Sequence, residues 1–150
     1  MADREPELCE RAEAEVIGPK TPRQPKQIPS KNRRIVEQRS GGVCESCGDN
    51  PASDIHHRQY RSRGGSHDVH NLMALCGGPF GMAGGNHSGC HGRAHTDGER
   101  EGLSIRRGFR SILQPVLYRG VWVRLEDDGT VTRLSESVAE MLMRGGFPDG

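Results

Sequence analysis

The sequence predicts an α+β fold, in which a small metal-stabilised domain lies between a disordered N-terminal leader and a short C-terminal β-hairpin. Three observations support this prediction. Only 32% of the 150 residues are apolar and 4% are aromatic, too few for a large hydrophobic core. Short helix and strand patterns alternate with turns that are rich in glycine and proline. Cysteines and histidines recur in one ordered series, and small domains often depend on a bound metal for their stability.

Residues 1–30 are predicted to form a flexible leader, in which an acidic stretch precedes the Pro-punctuated run GPKTPRQPKQIPS. Residues 1–17 carry six acidic and two basic side chains, whereas residues 20–39 carry one acidic and seven basic. A basic block suits a polyanionic partner, although a solubilising tail explains the charge alone more simply. The leader's cysteine, Cys9, is predicted to be a free thiol. With no signal peptide and no membrane-spanning run, we expect a soluble intracellular protein.

The elements of the domain follow in chain order. Ser30 is the predicted cap of a helix over Lys31–Arg39, which Gly41-Gly42 would end. The next predicted elements are a strand at SDIHHRQY (53–60), a loop at RSRGGSHD (61–68), a strand or turn at NLMALC (71–76) and a glycine-rich loop at 77–89. A helix is predicted from Cys90, because a spacing of four residues places His91 and His95 on one helical face.

The C-terminal part offers three strand candidates, which are LSIRR (103–107), VWVRL (121–125) and TVTRL (130–134). The turn-forming run Glu126–Gly129 predicts a hairpin between the last two. Ser137 and Glu140 have the spacing of a capping box for a final helix through Met143. We therefore expect a leader at 1–30, a metal-binding domain at 31–100 and a C-terminal accessory segment at 101–150.

Four of the five cysteines have the order of a structural zinc site, and these are Cys44, Cys47, Cys76 and Cys90. Cys44 and Cys47 form a CxxC turn that lets both thiolates point inward. The second half is atypical, because thirteen residues separate Cys76 from Cys90. His87 could replace one thiolate, and reduced buried cysteines without a metal are the alternative to a zinc site.

Histidines supply a second candidate metal site with a different role. His56, His91 and His95 could hold one divalent ion and leave positions for water and substrate oxygens. Consecutive strand residues point to opposite faces, so His57 would remain free as a general base with an ordinary pKa of about 6.5. Three imidazoles favour zinc, nickel, cobalt or manganese, whereas magnesium prefers oxygen ligands.

Four arginines near this cluster in sequence are candidates for phosphate binding, namely Arg58, Arg61, Arg63 and Arg93. A guanidinium can bind a phosphate through two hydrogen bonds, although solvated surface charge explains them equally well. The remaining histidines, His67, His70 and His87, are predicted to be polar surface residues without a role in chemistry.

The run C-x-x-C … D-I-H-H-R … R-G-G … N-L-x-x-L-C … C-H-x-x-x-H resembles the HNH endonuclease family, including its colicin-nuclease branch, over residues 43–96. The resemblance implies a ββα-metal motif, in which a two-stranded hairpin packs on a helix with the metal between them. It implies that His57 is the general base and that Asn71 braces the hairpin and orients His57. It assigns the metal to His56, His91 and His95. Family members commonly have two residues between the last two cysteines, where this chain has thirteen.

The resemblance implies a DNA endonuclease that hydrolyses phosphodiester bonds with a histidine-activated water and leaves 5′-phosphate and 3′-hydroxyl ends. Nicking and double-strand cleavage both remain open, as does a junction-resolving activity. The implied cofactors are a structural Zn²⁺ and a catalytic Mg²⁺, Mn²⁺, Ni²⁺ or Zn²⁺. By analogy with stand-alone HNH proteins of phages, the partners would be DNA and a packaging terminase in the bacterial cytoplasm. The alternative is a non-catalytic zinc module that binds nucleic acid, which leaves the histidines and Asn71 unexplained.

Overall fold

The computed structural model describes residues 25–77 and 88–145. The predictions for the leader up to residue 24, for Cys9, for His87 and for most of the glycine-rich run 77–89 lie outside these residues. Within the described ranges, the elements are α1 (Ser30–Ser40), β1 (Asp54–His57), β2 (Leu72–Leu75), α2 (Gly89–Thr96), β3 (Val116–Tyr118), β4 (Val121–Leu125), β5 (Val131–Arg133) and α3 (Glu136–Met143). No helix among them is long and apolar enough to span a membrane.

The strands form two antiparallel sheets. β1 pairs with β2, and the second sheet has the order β3-β4-β5. Helix α2 follows the first sheet in the chain, so β1, β2 and α2 supply the predicted ββα arrangement. The predicted α+β fold is confirmed, and the C-terminal hairpin gains β3 as a third strand.

Helix α1 ends as predicted but begins differently. Gly41 adopts a left-handed conformation with φ 63°, and its N–H donates to Glu37 O at 3.0 Å. At the other end, Pro29 is the extended residue before the helix, and Pro29 O accepts from the Arg33 N–H. Ser30 is already helical, so the prediction that it caps the helix is wrong.

Two predictions for the C-terminal part are wrong. Residues 103–107 are not a strand, because the N–H groups of Leu103 and Ile105 bond to carbonyls outside any ladder, those of Gly98 and Arg58. The cap of α3 is Ser135 rather than Ser137. Ser135 Oγ accepts from the Val138 N–H at 3.3 Å, and α3 begins directly after Ser135.

Strand β2 is buried along its whole length and separates two apolar clusters. On one face, Leu72 and Ala74 pack with Val36 of α1. On the other face, Met73 and Leu75 join a larger cluster, whose further buried members are Cys44, Cys76, Cys90, Ala94, Leu103, Val116, Val123 and Leu125. The second cluster includes residues from β3 and β4. The core therefore holds the hairpin, α2 and the C-terminal sheet together.

Candidate functional site

The β1–β2 hairpin separates the two adjacent histidines. In the antiparallel register, His56 lies opposite Met73 and His57 lies opposite Leu72. Opposed residues share a face of a sheet, and consecutive residues do not. His56 therefore points to the face of the larger apolar cluster, whereas His57 points to the face that packs against α1.

His56, His91 and His95 form a triangle of imidazoles. The ring centroids of every pair are 5.1 Å apart, and one nitrogen of each ring lies within 4.8 Å of the other two. One helical turn separates the two residues on α2, whose Nε2 atoms are 3.3 Å apart. Tyr60 stacks on His95 at a centroid distance of 5.0 Å. Three converging imidazoles can hold one divalent ion and leave coordination positions open.

Neighbouring groups lie close to one ring nitrogen of two of these imidazoles. His56 Nε2 lies 2.6 Å from Leu103 O, so this nitrogen donates its hydrogen and Nδ1 is left for a metal. His91 Nδ1 is buried without a hydrogen-bond partner in the described residues, and Asp54 Oδ2 lies 3.4 Å from it. Burial, assisted by the His91 and His95 rings, lowers the pKa of His56 to about 3. His56 is therefore neutral, which is the form that binds a metal.

The four predicted zinc ligands come together despite the thirteen residues between the last two. The Sγ atoms of Cys44, Cys47, Cys76 and Cys90 all lie within 4.8 Å of one another. Cys47 Sγ and Cys76 Sγ are 3.9 Å apart, and tetrahedral zinc with Zn–S bonds of about 2.3 Å requires S–S distances of about 3.8 Å. The start of α2 lies beside Cys76, because the His91 N–H donates to Cys76 O at 3.1 Å. This donor set fits Zn²⁺.

The charges on these sulfurs also fit a bound cation. A hydrogen bond from Cys90, opposed by burial and assisted by backbone N–H groups, lowers the pKa of Cys44 to about 4. The same hydrogen bond, burial and the nearby Cys44 charge raise the pKa of Cys90. A second thiolate so close to the first is unfavourable without a positive ion between them. A zinc ion would remove this penalty, because thiolates are its ligands.

His57 contacts a second histidine, His67, on the face that packs against α1. His57 Nε2 lies 2.9 Å from His67 Nδ1. On its far side, His67 Nε2 lies 2.6 Å from Pro25 O and 2.8 Å from Arg61 Nη1. Burial and the charges of His67 and Arg61 lower the pKa of His57 to about 4, so the ring is neutral at neutral pH. The expectation of an unperturbed pKa for His57 is wrong.

Asn71 is fully buried at the end of the loop that joins β1 to β2. Its Oδ1 accepts from the Gln59 N–H at 2.8 Å, and its Nδ2 donates to Gln59 O and Ser66 O at 3.0 and 2.9 Å. These bonds close the loop behind the hairpin. Because it has no exposed surface, Asn71 can act only as a positioning residue.

Arg58 is the one predicted phosphate-binding residue that the structure contradicts. Its side chain has no exposed surface, and its guanidinium donates only to backbone carbonyls among the described residues. A guanidinium that is buried and occupied in this way cannot reach a phosphate of a bound polymer. The prediction that Arg58 binds nucleic acid is therefore wrong.

The other three arginines reach the surface. Arg61 and Arg93 are exposed and Arg63 is half-buried. The Arg63 guanidinium lies 4.6 Å from the centre of the Tyr60 ring, and Arg93 pairs with Glu101 at 2.9 Å. All three remain candidates for contacts with phosphates.

Three contacts of the site were not predicted from the sequence. Asp54 lies beside His91, and the period of two in a strand would have placed it on the same face as His56. His67 and His70 were predicted to be surface residues, but they are only 3% and 7% exposed. His70 Nδ1 lies 2.6 Å from Asp127 Oδ1, in the turn between β4 and β5. Both histidines lie in the irregular connection between β1 and β2, where no regular spacing predicts which side chains will contact each other.

Residues 44–77 match the family model of the HNH endonuclease. The matched segment contains three of the four clustered cysteines, the tandem histidines, Asn71 and both strands of the hairpin. No curated protein and no solved structure matches the chain. The match ends before α2, so the grouping of His91, His95 and Cys90 with this segment rests on the geometry described above.

Proposed function

We propose that this chain, which carries an HNH endonuclease domain in residues 44–77, is a metal-dependent DNA endonuclease that hydrolyses phosphodiester bonds. The observation that carries the proposal is the position of His57 beside the triangle of His56, His91 and His95. All four histidines line one open depression, together with Tyr60 and Arg61. A base and a set of metal ligands that line the same opening are the two parts that phosphodiester hydrolysis requires.

His57 would act as the general base. Its low pKa keeps the ring neutral and able to accept a proton from water. In the tautomer in which the His67 Nε2–H donates to Pro25 O, His67 Nδ1 accepts from the His57 Nε2–H. His57 Nδ1 then carries the lone pair that receives the proton. The activated water attacks the phosphorus, and the 3′ oxygen leaves, which gives 5′-phosphate and 3′-hydroxyl ends.

His56, His91 and His95 would hold the catalytic ion. A divalent ion bound there supplies positive charge for the phosphate oxygens and the leaving oxygen. The Leu103 carbonyl orients His56 through the nitrogen that faces away from the ion, and Asp54 lies 3.4 Å from the corresponding nitrogen of His91. The Cys44, Cys47, Cys76 and Cys90 cluster would hold a separate zinc that stabilises the fold. A zinc module without activity accounts for the cysteines, but it gives no reason for the imidazole triangle beside His57.

Cleavage of supercoiled plasmid tests this function. Wild type and His57→Ala are each incubated with DNA and added Mg²⁺, Mn²⁺, Ni²⁺ or Zn²⁺, and parallel reactions contain EDTA. We expect metal-dependent nicked or linear product from wild type, and a rate for His57→Ala that is about 10²- to 10⁴-fold lower. Thermal unfolding of both proteins controls for a loss of fold.

Two outcomes would contradict the proposal in different ways. If wild type leaves the plasmid intact with every metal, the chain is not a DNA endonuclease under these conditions and the zinc-module alternative gains support. If His57→Ala cuts as fast as wild type, His57 is not the base. Labelling of the product ends with a kinase, before and after phosphatase treatment, checks the expected 5′-phosphate.

A further inference from the structure

A basic groove adjoins the candidate active site. Its lining includes Lys26, Arg33, Arg61, His57 and His67. His57 and Arg61 also line the depression that holds the imidazole triangle. The two concavities therefore share His57 and Arg61 and are neighbours on the surface.

Specific hydrogen bonds build this groove. Arg61 Nη1 donates to Pro25 O and Lys26 O, at 2.9 and 3.0 Å, and so holds the segment before α1 against the loop after β1. Asn32 Nδ2 donates to His67 O at 2.9 Å, which ties the first turn of α1 to the same loop. The walls of the groove are thus fixed by contacts between residues that are more than thirty positions apart in sequence.

The groove has the charge and composition of a surface that binds a phosphate backbone. Lys26 and Arg33 are exposed, and neither forms an ion pair within the described residues. No acidic side chain, and no Phe, Tyr or Trp, is among the described residues that line it. Cationic side chains attract phosphates, and without an aromatic side chain this lining offers no platform on which bases could stack.

We propose that this groove binds the sugar–phosphate backbone of the DNA strand that is cut, on one side of the scissile phosphate. Lys26, Arg33 and Arg61 would contact successive phosphates, and Arg61 would join the groove to the active site. The inference rests on the proposed endonuclease function, because His57 defines the point at which the strand enters the active site. It predicts affinity that depends on salt and is independent of base sequence.

Fluorescence anisotropy of a short labelled DNA duplex tests the groove without requiring cleavage. The full chain, its Lys26→Gln/Arg33→Gln variant and its Lys31→Gln/Arg34→Gln variant are titrated at several salt concentrations without added divalent metal, and gels verify that the DNA stays intact. Both variants lose one lysine and one arginine from the same exposed segment, but only Lys26 and Arg33 line the groove. The second variant is therefore the matched control.

We expect the groove variant to bind about tenfold more weakly at moderate salt. Its plot of log K against log salt should be flatter by about 2, because two phosphate contacts are lost. The control variant should keep most of the wild-type slope. Equal losses of DNA affinity in both variants would indicate diffuse charge attraction and would contradict the proposed groove. Wild-type affinity in the groove variant would contradict it as well. Wild type could also bind with this pattern and yet fail to cleave DNA with any of the metals tested. That result would refute the endonuclease function and still support the groove as a DNA-binding surface.

Discussion

Arg58 occupies a position where a guanidinium serves as an internal cross-link. It donates to four backbone carbonyls at 2.8 to 3.0 Å, those of His70, Gly102, Gln114 and Pro115. Burial lowers the pKa of Arg58 to about 9, so the side chain remains charged at neutral pH. A buried charge of this kind is tolerated because most of its N–H groups are satisfied.

We expect Arg58→Gln to lower the free energy of unfolding by about 3 kcal/mol or more, because several buried carbonyls lose their donor. The matched control is Arg63→Gln, which removes a half-buried arginine whose hydrogen bonds are long, 3.3 and 3.4 Å. That change should cost about 1 kcal/mol or less. Urea unfolding measures both. Equal losses of stability in the two variants would show that the four carbonyl contacts of Arg58 do not hold the fold together.

At the level of single residues, sequence reasoning succeeds where ligands are close in the chain or follow a regular period. The spacing of His91 and His95 predicts their shared helical face, and strand alternation predicts that His56 and His57 separate. The neighbours of Arg58 and of His67 could not be predicted in the same way. Their partners lie ten to fifty-seven positions away and are set by irregular loops.

At the level of elements, α2 is the part that completes both candidate metal sites. It carries Cys90 to the cysteine cluster and His91 to the imidazole triangle, in consecutive positions. A helix that contributes residues to both clusters couples their geometry, since a shift of α2 moves Cys90 and His91 together. The helix was predicted from the sequence, but its closeness to Cys76 was not, because the intervening chain has no periodic pattern.

We expect Cys90→Ala to abolish binding of the structural zinc, because Cys90 is one of the four clustered sulfurs. Cys9→Ala should retain the zinc, because the sequence predicts a free thiol at Cys9. Zinc content per chain is measured by atomic absorption after dialysis, and unfolding is followed in parallel. Since structural zinc contributes folding free energy directly, Cys90→Ala should also lower the unfolding temperature. Full zinc content in Cys90→Ala would exclude this cysteine as a ligand and reopen the alternative set with His87.

Strand β3 shows why the C-terminal hairpin was only partly predicted. It has three residues, too few to display an alternating pattern, and LSIRR offered a longer but false candidate. The structure shows a turn after β3 in which Arg119 and Gly120 both have positive φ, 48° and 83°. Two consecutive residues in that conformation match the twist of a tight hairpin turn.

At the scale of the whole molecule, the C-terminal part stabilises the candidate site through hydrogen bonds and apolar packing. The Arg119 guanidinium, in the β3–β4 turn, donates to the carbonyls of Ser40, Val43 and Cys44. These bonds attach the turn to the end of α1 and to the start of the CxxC turn. Leu103 supplies the carbonyl that orients His56. Val116, Val123 and Leu125 complete the apolar cluster around the cysteines. The site and the C-terminal part therefore share one core.

These contacts lead us to expect that a chain ending at residue 100 cannot fold, although the sequence suggested a separate domain over residues 31–100. Such a chain would leave Arg58 with one of its four carbonyl partners and would expose the apolar cluster that β3 and β4 cover. Burial of each Val or Leu side chain contributes about 1.5 to 3 kcal/mol, so the loss of Val116, Val123 and Leu125 is comparable with the whole stability of a domain, about 5 to 15 kcal/mol. The truncated and full chains are compared by thermal unfolding with zinc present. We expect a cooperative transition only for the full chain. A cooperative transition in the truncated chain, with zinc retained, would establish residues 31–100 as an independent domain and the C-terminal sheet as an accessory.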